Sequence, residues 1–340
     1  MTSNQVTHHR RLGAGVFAGC FAGCIAIFLA AAAAPVAAQA DAPWPVKPVR
    51  LLVAFPPGGL ADVLTRLLAP DLSKALGQPV VVDNRGGASG NLAALELLRS
   101  AGDSHTFMVN VTTIESVNPL MYSNLGFQPA KDFQPVAMLA NTQLFLVTRP
   151  TLAVNNLKEF VAHAKAHPGK LSYGSAGTGT TPHIGGEMLK QATGIFATHI
   201  PYRGAAPAIQ DLMASQIDFA LMPGTVFQSA KSGKLKLLAV ASRQRTDNYP
   251  SAPTIDQEGF GKVFVDTPFV VYASASVAAP VVARLNREIN QILAMPSIKQ
   301  KFSEVGADAV SLSPSELKTL VQAEIALFGS IVKSRGITAE

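Results

Sequence analysis

The sequence predicts an α/β fold in two domains, and three observations support this prediction. Short apolar runs alternate with segments of helical periodicity, an order that favours parallel strands covered by helices. Two strand-to-helix junctions are Gly-rich turns, at residues 56–59 and 174–182. The chain has 340 residues, and the roughly 300 that follow its apolar N-terminal run exceed the usual size of one hydrophobic core.

Residues 1–40 are predicted to be a secretory signal peptide. A basic stretch precedes an uncharged apolar run at residues 13–35, and an A-x-A cleavage site ends at Ala40. We therefore expect cleavage after Ala40 and export to the periplasm, with an uncleaved membrane anchor as the alternative. Cys20 and Cys24 lie inside this segment, so the mature chain would contain no thiol.

The first strand–turn–helix unit contains a candidate anion site. An apolar run at residues 51–55 predicts a buried strand, which the Pro-Pro-Gly-Gly sequence at 56–59 ends. Leucines at helical spacing then predict a helix over residues 63–76. The first amides of a helix lack intrahelical partners, and glycines without side chains would let an anion approach them. A tight turn with glycine for backbone reasons alone is the alternative.

The remaining elements continue the alternation. Strands are predicted at residues 80–82, 106–109, 133–140, 144–147, 171–174, 198–201, 217–221, 235–240 and 263–273. Helices are predicted at residues 92–99, 157–167, 183–193, 205–214, 281–295 and 314–333, the last capped by Ser313 or Ser315. Residues 171–193 thus repeat the order of the first unit: strand, Gly-rich turn, helix.

Charge and composition argue against a nucleic-acid surface. The formal net charge is +6, and it becomes +4 without Arg10 and Arg11, because residues 1–40 contain no acidic residue. No run of Lys and Arg exceeds two residues. After the signal, no second apolar stretch is long enough to span a membrane.

The second Gly-rich turn matches no catalytic or cofactor motif. Residues 174–182 lack the Lys-Ser/Thr of a phosphate-binding loop, and Pro182 stands where a dinucleotide fingerprint has its third glycine. No G-x-S-x-G elbow surrounds Ser175, and the histidines show no metal-ligand spacing. We therefore predict no catalytic residue, no metal and no cofactor.

Four polar residues near the turns have two possible roles each. His183 either faces a ligand or hydrogen-bonds the start of its own helix. Asp62 lies in a first helical turn, where the dipole favours a carboxylate, and we predict that it supports the turn rather than the ligand. Arg85 and Arg203 either pair with a carboxylate or lie on the surface.

Several short motifs occur together in order along the mature chain. They are Phe55-Pro-Pro-Gly-Gly59, Gly77-Gln-Pro-Val-Val-Val82, Asn84-Arg85, Gly90-Asn91, Pro168-Gly169, Tyr173-Gly-Ser-Ala-Gly177, His183 and Pro201-Tyr-Arg-Gly204. In this order and spacing, the chain resembles the Bug-type (TctC-like) periplasmic solute-binding proteins of tripartite tricarboxylate transporters. The resemblance implies a type II periplasmic-binding-protein architecture, in which two α/β lobes close on a ligand like a flytrap.

The predicted lobes are discontinuous in sequence. Lobe 1 would comprise residues 41–142 plus 268–340, and lobe 2 residues 143–267. Crossover strands at residues 139–145 and 265–271 would join them, because only these segments connect the two βα blocks.

The resemblance also implies the ligand site. It places in the site Phe55, Gly58, Gly59, Leu60, Ser175, Ala176, Gly177, Thr178, Thr180 and Thr181, with Tyr202 nearby. From their positions beside the turns, we add His183 and Arg203 to the candidate ligand-binding residues. Asp62, Asn84 and Arg85 would support the site without touching the ligand. Family ligands are small carboxylates, held largely by backbone amides, hydroxyls and bridging waters.

Together these features predict a non-enzymatic periplasmic solute-binding protein. It would capture a small organic carboxylate, an aliphatic or aromatic mono- or dicarboxylate, and deliver it to membrane transporter subunits. A monomer that binds no nucleic acid is expected. The alternative is a secreted hydrolase of a small ester or amide, which needs a nucleophile, a base and an orienting group that the sequence does not supply.

Overall fold

Two β-sheets organise the part of the chain described by the computed structural model, residues 44–339. The predicted signal peptide and both cysteines lie outside the described residues. Residues 45–339 belong to one compact unit that contains both sheets. Within residues 44–339, none of the helices is long and apolar enough to cross a membrane.

Strands and helices alternate along most of this unit. The strands are β1 (Val49–Val53), β2 (Val80–Asn84), β3 (Thr106–Val111), β4 (Phe133–Gln143), β5 (Phe145–Thr148), β6 (Leu171–Ser175), β7 (Ala197–Pro201), β8 (Phe219–Met222), β9 (Lys236–Val240), β10 (Asp266–Ser274) and β11 (Asp308–Ala309). The helices are α1 (Leu60–Leu76), α2 (Asn91–Arg99), α3 (Thr113–Ser116), α4 (Asn118–Met121), α5 (Pro129–Asp132), α6 (Leu157–Ala166), α7 (Thr181–Thr193), α8 (Ala205–Met213), α9 (Phe227–Lys231), α10 (Ala279–Leu293), α11 (Pro296–Glu304) and α12 (Pro314–Arg335).

The first sheet is mixed rather than parallel. Its strand order is β11-β4-β10-β3-β1-β2. β1 is parallel to β2 and β3, whereas β10 is antiparallel to both β3 and β4. The prediction of parallel strands rests on the first three strands, and β1 to β3 confirm it. β4 and β10 are antiparallel to each other because they carry the chain between the sheets in opposite directions.

The second sheet repeats the arrangement of the first. Its strand order is β7-β6-β8-β5-β9. β6 is parallel to β7 and β8, and β5 is antiparallel to β8 and β9. β6 therefore occupies the position that β1 has in the first sheet, and both strands lead into a Gly-rich turn and a helix.

The chain passes between the sheets twice, along neighbouring strands. β4 ends at Gln143 and β5 begins at Phe145, so a single residue separates the sheets there. The return strand is β10, in which Asp266 lies opposite Gln143. These two passes fall within the predicted crossover segments, 139–145 and 265–271.

The last helix contacts the cores of both sheets. Ser313 caps it, and Glu316 completes a capping box, so Ser313 rather than Ser315 is the cap. Leu317 lies in the apolar cluster of the first sheet, whereas Phe328 and Ile331 lie in a cluster of the second. The predicted lobe limits assign all of α12 to lobe 1, and they stay predictions.

Two helices that have proline in their first turn, α7 and α11, differ from the helices predicted from the sequence. α7 begins at Thr181, two residues before the predicted start, with Pro182 in its first turn. Proline is well tolerated there because the missing N–H would have no intrahelical acceptor. α11 (Pro296–Glu304) also has proline in its first turn, and the sequence analysis did not predict this helix.

Candidate functional site

A cleft between the two sheets is the candidate site, and we call it the main cleft. Phe55, Gly59 and Leu60 line it on the side of the first sheet, and Thr180 and Thr181 on the side of the second. Its volume is about 740 Å³, part of which is open to solvent. The two predicted Gly-rich turns therefore contribute residues to one cleft.

The first turn connects β1 to α1 with glycine in the left-handed region. Gly58 has φ +78°, a conformation that favours glycine. The N–H of Gly59 donates to the carbonyl of Pro56 at 3.2 Å, which closes the turn. Gly59 is also the N-cap of α1, and its carbonyl accepts the first helical hydrogen bond from Val63 at 3.0 Å.

The second turn has the same construction between β6 and α7. Gly179 has φ +78°, and the N–H of Thr180 donates to the carbonyl of Gly177 at 3.3 Å. Thr180 is the N-cap of α7, and its carbonyl accepts from Ile184 at 3.0 Å. The N-cap residues Gly59 and Thr180 both have φ −71°, so the two helices start from matching backbone geometry.

Backbone N–H groups at both helix starts remain available to a ligand. Among residues 44–339, the N–H groups of Leu60 and Ala61 have no acceptor, and neither has the N–H of Thr181. All three residues line the main cleft. Such amides, together with the positive end of each helix dipole, attract an anion without a charged side chain.

A side chain in the first turn of each helix holds the preceding glycine. The Gly58 N–H donates to Asp62 Oδ2 at 2.9 Å, and the Gly179 N–H donates to His183 Nδ1 at 3.0 Å. Both acceptors are buried and stand four residues after the glycine. His183 therefore hydrogen-bonds its own turn, which is one of the two roles considered from the sequence.

The two acceptors have shifted pKa values in the folded protein. Burial alone would raise the pKa of Asp62, but hydrogen bonds from Arg66, Gly58 and Asn84 outweigh it and hold the pKa below its usual value. Burial lowers the pKa of His183 to about 4. Near neutral pH, Asp62 is thus an anion and His183 is a neutral acceptor.

Asn84 ties this arrangement to β1. Its Nδ2 donates to the Phe55 carbonyl at 3.0 Å and to Asp62 Oδ1 at 3.0 Å. Arg66 Nε donates to the same carboxylate oxygen at 2.8 Å. Asp62 and Asn84 therefore hydrogen-bond the turn itself. Their role in supporting a ligand site stays a prediction.

The crossover strands form the floor of the main cleft, and the sequence analysis did not include their residues in the site. Thr142 of β4 and Thr267 of β10 are opposite each other in register, and both line the cleft. Thr267 Oγ1 lies 2.7 Å from Thr181 Oγ1, which links the floor to the start of α7. Leu144 and Phe269 supply apolar surface beside them.

The walls of the main cleft are predominantly apolar. Leu60, Val111, Leu144, Pro182 and Phe269 contribute to them. Arg203 is the charged side chain among the lining residues, and it is exposed. A ligand in the cleft would therefore meet hydrogen-bond donors at the helix starts and hydrocarbon over most of its length.

Three of the predicted ligand residues line a second depression but not the main cleft, and we call this depression the side groove. Gly177, Thr178 and Tyr202 lie there, opposite the loop at residues 86–90. Ser89 Oγ donates to the Thr178 carbonyl at 2.6 Å and so connects the two sheets across this groove. Four further predicted ligand residues line both the groove and the main cleft: Phe55, Ala176, Thr180 and Arg203.

The other predicted site residues lie outside the lining of both depressions. Gly58 and His183 hold their turns, as described, and Asp62 and Asn84 support the first of them. Arg85 is half exposed and pairs with Asp83 at 3.3 Å. Ser175 is fully buried at the end of β6.

Ser175 forms a hydrogen-bonded pair with a histidine, an arrangement relevant to the hydrolase alternative. Its Oγ lies 2.7 Å from His199 Nε2 and also accepts from the Gly177 N–H at 3.1 Å. Burial lowers the pKa of His199 to about 3, as does the nearby His183. A nucleophile must be accessible to its substrate, whereas Ser175 has no exposed surface and binds the turn. The pair is therefore a structural support for residues 175–177.

The described residues offer no metal-binding cluster. Across residues 44–339, no group of three or more His, Cys, Asp or Glu side chains could hold a metal ion.

The fold and the cleft together define a class of protein. Two sheets of matching strand order, two crossover strands and a cleft between Gly-rich turns are the architecture of the two-lobed periplasmic binding proteins. Residues 64–337 match the family described as "Tripartite tricarboxylate transporter family receptor" (TctC). The chain belongs to this family of solute-binding proteins.

Individual relatives agree with this assignment. The chain is 32% identical to protein BugT of Bordetella pertussis over 307 residues, 89% of this chain and 93% of BugT. It is similar to the Rhodopseudomonas palustris protein Rpa4515 with adipate, with a TM-score of 0.83 and 32% identity over 87% of this chain and 99% of that one. MatC from the same organism, with bound malate, gives a TM-score of 0.80 and 28% identity over 85% of this chain and 100% of MatC.

Proposed function

We propose that this protein captures a small organic carboxylate in the main cleft and delivers it to a membrane transporter. One observation is the main support: the unpaired N–H groups at the starts of α1 and α7 open into the same cleft. Two helix dipoles and their amides favour an anion at that point. The structures of Rpa4515 with adipate and MatC with malate support a carboxylate as that anion.

The proposed ligand contacts are mainly backbone groups. Leu60 and Ala61 would donate from α1, and Thr181 from α7, while Phe55 and Pro182 would pack against the body of the ligand. Hydrogen bonds to a charged group are worth about 1.5–3 kcal/mol each. Three of them would exceed an exposed ion pair with Arg203, because such pairs contribute about 1 kcal/mol or less. Arg203 would therefore add to affinity without deciding it.

Capture would involve closure of the two lobes around the ligand. The two crossover strands join the sheets side by side, at Gln143 and Asp266, so a hinge there would let the sheets rotate as bodies. The proposed lobe limits remain 41–142 with 268–340, and 143–267. We also propose export by a signal peptide cleaved after Ala40, and a monomeric protein that docks on transporter subunits.

Ligand-induced stabilisation tests the proposal. Purified mature protein is screened by thermal unfolding against adipate, malate, hexanoate and benzoate, with hexanamide as the uncharged control. A ligand present at 100 times its Kd stabilises the folded state by about 2.7 kcal/mol, so a binder raises the unfolding temperature. Stabilisation by a carboxylate but not by hexanamide supports the function. If none of the four carboxylates raises the unfolding temperature at concentrations up to about 10 mM, the assignment of the cleft to such carboxylates is wrong.

A separate measurement addresses the hydrolase alternative. The same preparation is incubated with p-nitrophenyl acetate and p-nitrophenyl butyrate. We expect no release of p-nitrophenol above the rate in buffer, because Ser175 is buried behind its turn. Turnover that disappears on Ser175→Ala would instead favour an enzyme.

A further inference from the structure

Thr142 places a buried hydroxyl in the floor of the main cleft. The residue lies near the end of β4 and is among the residues that line the cleft. It is 1% exposed. Its Oγ1 is buried and has no hydrogen-bond partner among the described residues. The floor of the cleft therefore contains a polar group that the protein itself leaves unsatisfied.

The neighbouring hydroxyls differ from Thr142 in this respect. Thr267 lies opposite Thr142 in the β4–β10 pair, and its Oγ1 is hydrogen-bonded to that of Thr181. On its other sides, the cleft around Thr142 is lined by apolar residues such as Val111 and Leu144. Of the three threonines Thr142, Thr267 and Thr181, only Thr142 therefore has a side-chain hydroxyl without a hydrogen-bond partner among residues 44–339.

A buried hydroxyl without a partner disfavours the folded state, and a large majority of buried polar side chains in proteins are hydrogen-bonded. Valine would fill the same space in a strand without that cost, and its strand propensity is as high. A threonine at this place is therefore explained if a ligand supplies the missing partner. Thr142 lines the cleft, so the proposed closure of the lobes would bring its hydroxyl against a ligand, whereas a threonine in the core could meet no ligand.

The position of Thr142 indicates which part of the ligand it would contact. Opposite residues in an antiparallel pair have Cα atoms about 4.5–5.5 Å apart, so Thr142 lies one strand spacing from Thr267. Thr267 touches Thr181, which begins α7 and offers its unpaired N–H. The Thr142 hydroxyl and the α7 amide are therefore within reach of one small anionic group.

We infer that Thr142 is a specificity-determining residue whose hydroxyl donates a hydrogen bond to the carboxylate of the ligand. This inference rests on the proposed function of the main cleft. An ionised carboxylate has about four lone-pair positions, enough for the amides of α1 and α7 and one hydroxyl. The hydroxyl extends the set of donors from the two helix starts to the floor between them.

Thr148 provides a matched control for the experiment. It lies on β5, is fully buried and also has an unpartnered Oγ1, but it does not line the main cleft. Thr142→Val and Thr148→Val each remove one such hydroxyl at nearly constant volume. Thr142→Ser keeps the hydroxyl and tests whether it is the oxygen, rather than the shape of the side chain, that binds.

Ligand-free unfolding is measured first. Both valine variants should unfold at the same or a higher temperature than the wild type, because each loses a buried group that lacks a partner. A fall in unfolding temperature for Thr142→Val alone would overturn the inference, since it would mean that the hydroxyl is already paired inside the protein. This measurement needs no ligand.

Binding is then measured by calorimetric titration with adipate, malate, hexanoate and benzoate as probes. For a probe that binds the wild type, Thr142→Val should weaken affinity about 10-fold or more, equivalent to about 1.4 kcal/mol. Thr148→Val and Thr142→Ser should stay close to the wild-type affinity. Wild-type affinity in Thr142→Val would overturn the inference while leaving the proposed function intact. If the wild type binds none of the probes, the proposed function fails, and the role of Thr142 fails with it.

Discussion

Gly58 and Gly179, one in each Gly-rich turn, have the same backbone conformation, φ +78°. Each ends a turn at the carboxyl end of a parallel strand, and each precedes the N-cap of a long helix. Each also donates its N–H to a side chain four residues later, Asp62 in one case and His183 in the other. The two halves of the cleft are thus built on one backbone design with different side chains.

In each turn, the residues that fix the backbone shape differ from the residues whose amides lie at the cleft, although both belong to one sequence motif. The glycine and the residue four positions later fix the shape of the turn. The amides of Leu60, Ala61 and Thr181, which have no acceptor among residues 44–339, then open into the cleft. The residues proposed to bind the ligand and the residues that determine the shape of the turn therefore lie within a few positions of each other in the chain.

Alanine at the two glycines should have unequal effects. A Cβ on Gly58 would meet no atom within 4 Å, so Gly58→Ala costs about 1–2 kcal/mol from the left-handed backbone alone. A Cβ on Gly179 would lie 2.3 Å from Met121 Sδ. Met121 must move the far end of its flexible side chain to relieve this contact, which adds about 1 kcal/mol, so Gly179→Ala should be the more destabilising change in urea unfolding.

A double-mutant cycle identifies the cause of that difference. Met121→Ala removes the atoms that crowd Gly179, and it should reduce the cost of Gly179→Ala but leave the cost of Gly58→Ala unchanged. Additive effects of Met121→Ala and Gly179→Ala would refute the steric explanation.

The sequence predicted the two Gly-rich turns because glycine and proline act locally. Residues 56–59 and 174–182 end strands and begin helices for reasons that neighbouring residues determine. Residues such as Thr142 and Thr267 could not be found in this way. They enter the cleft because β4 and β10 pair over a separation of more than 120 residues, and an apolar strand pattern does not show which face will be covered.

Side-chain direction limited the prediction of the site in a similar way. Ser175 and His183 flank the second turn in sequence, but the structure turns both side chains away from the cleft, toward His199 and the Gly179 N–H. Proximity to a turn predicts that a residue is near a site, whereas the phase of the helix decides which way it points. The contributions of these residues to ligand binding stay predictions.

The two arginines near the turns should differ in their effect on binding. Arg203 lines the main cleft and is exposed, whereas Arg85 pairs with Asp83 at 3.3 Å and lies outside the lining. An exposed ion pair contributes about 0.2–1 kcal/mol, so Arg203→Ala should weaken binding of a carboxylate by no more than about five-fold. Arg85→Ala is the matched control and should leave the Kd unchanged in calorimetric titration. A complete loss of binding in Arg203→Ala would mean that a guanidinium, not the backbone, holds the ligand.

The buried His183 should make the protein less stable in acid. Its folded pKa of about 4 lies below the usual value of 6.5, so the unfolded chain binds its proton first as the pH falls. Its contribution is fully present above pH 6.5 and is lost as the pH falls toward about 4, on the order of 2–3 kcal/mol. Protonation at Nδ1 would also remove the acceptor of the Gly179 N–H.

Urea unfolding at a series of pH values from about 7 to about 4 measures this loss of stability. His183→Asn keeps an acceptor oxygen that does not titrate, so the variant should lose less stability over this range. His167→Asn, at an exposed position on the surface, serves as the control and should follow the wild-type curve. Parallel curves for the wild type and His183→Asn would show that another group causes the acid sensitivity.

The last prediction concerns Glu187, which connects α7 to the end of α12. Its carboxylate accepts hydrogen bonds from Tyr173 Oη at 2.7 Å, Lys190 Nζ at 2.6 Å and Arg335 Nε at 2.7 Å. The side chains of Glu187 and Lys190 are only 7% and 10% exposed. Burial would raise the pKa of Glu187, but these three partners lower it to about 2. Removing one member of a buried pair leaves the other charge uncompensated, at a cost of about 3–5 kcal/mol. Glu187→Gln should therefore lower the free energy of unfolding by about that amount in urea titrations at pH 7.

The exposed pair of Lys74 and Asp71 is the control, and Lys74→Met should change stability by less than about 0.5 kcal/mol. If Glu187→Gln costs no more than Lys74→Met, the buried carboxylate does not hold the two helices together, and the apolar contacts of Phe328 and Ile331 with the second core do so instead.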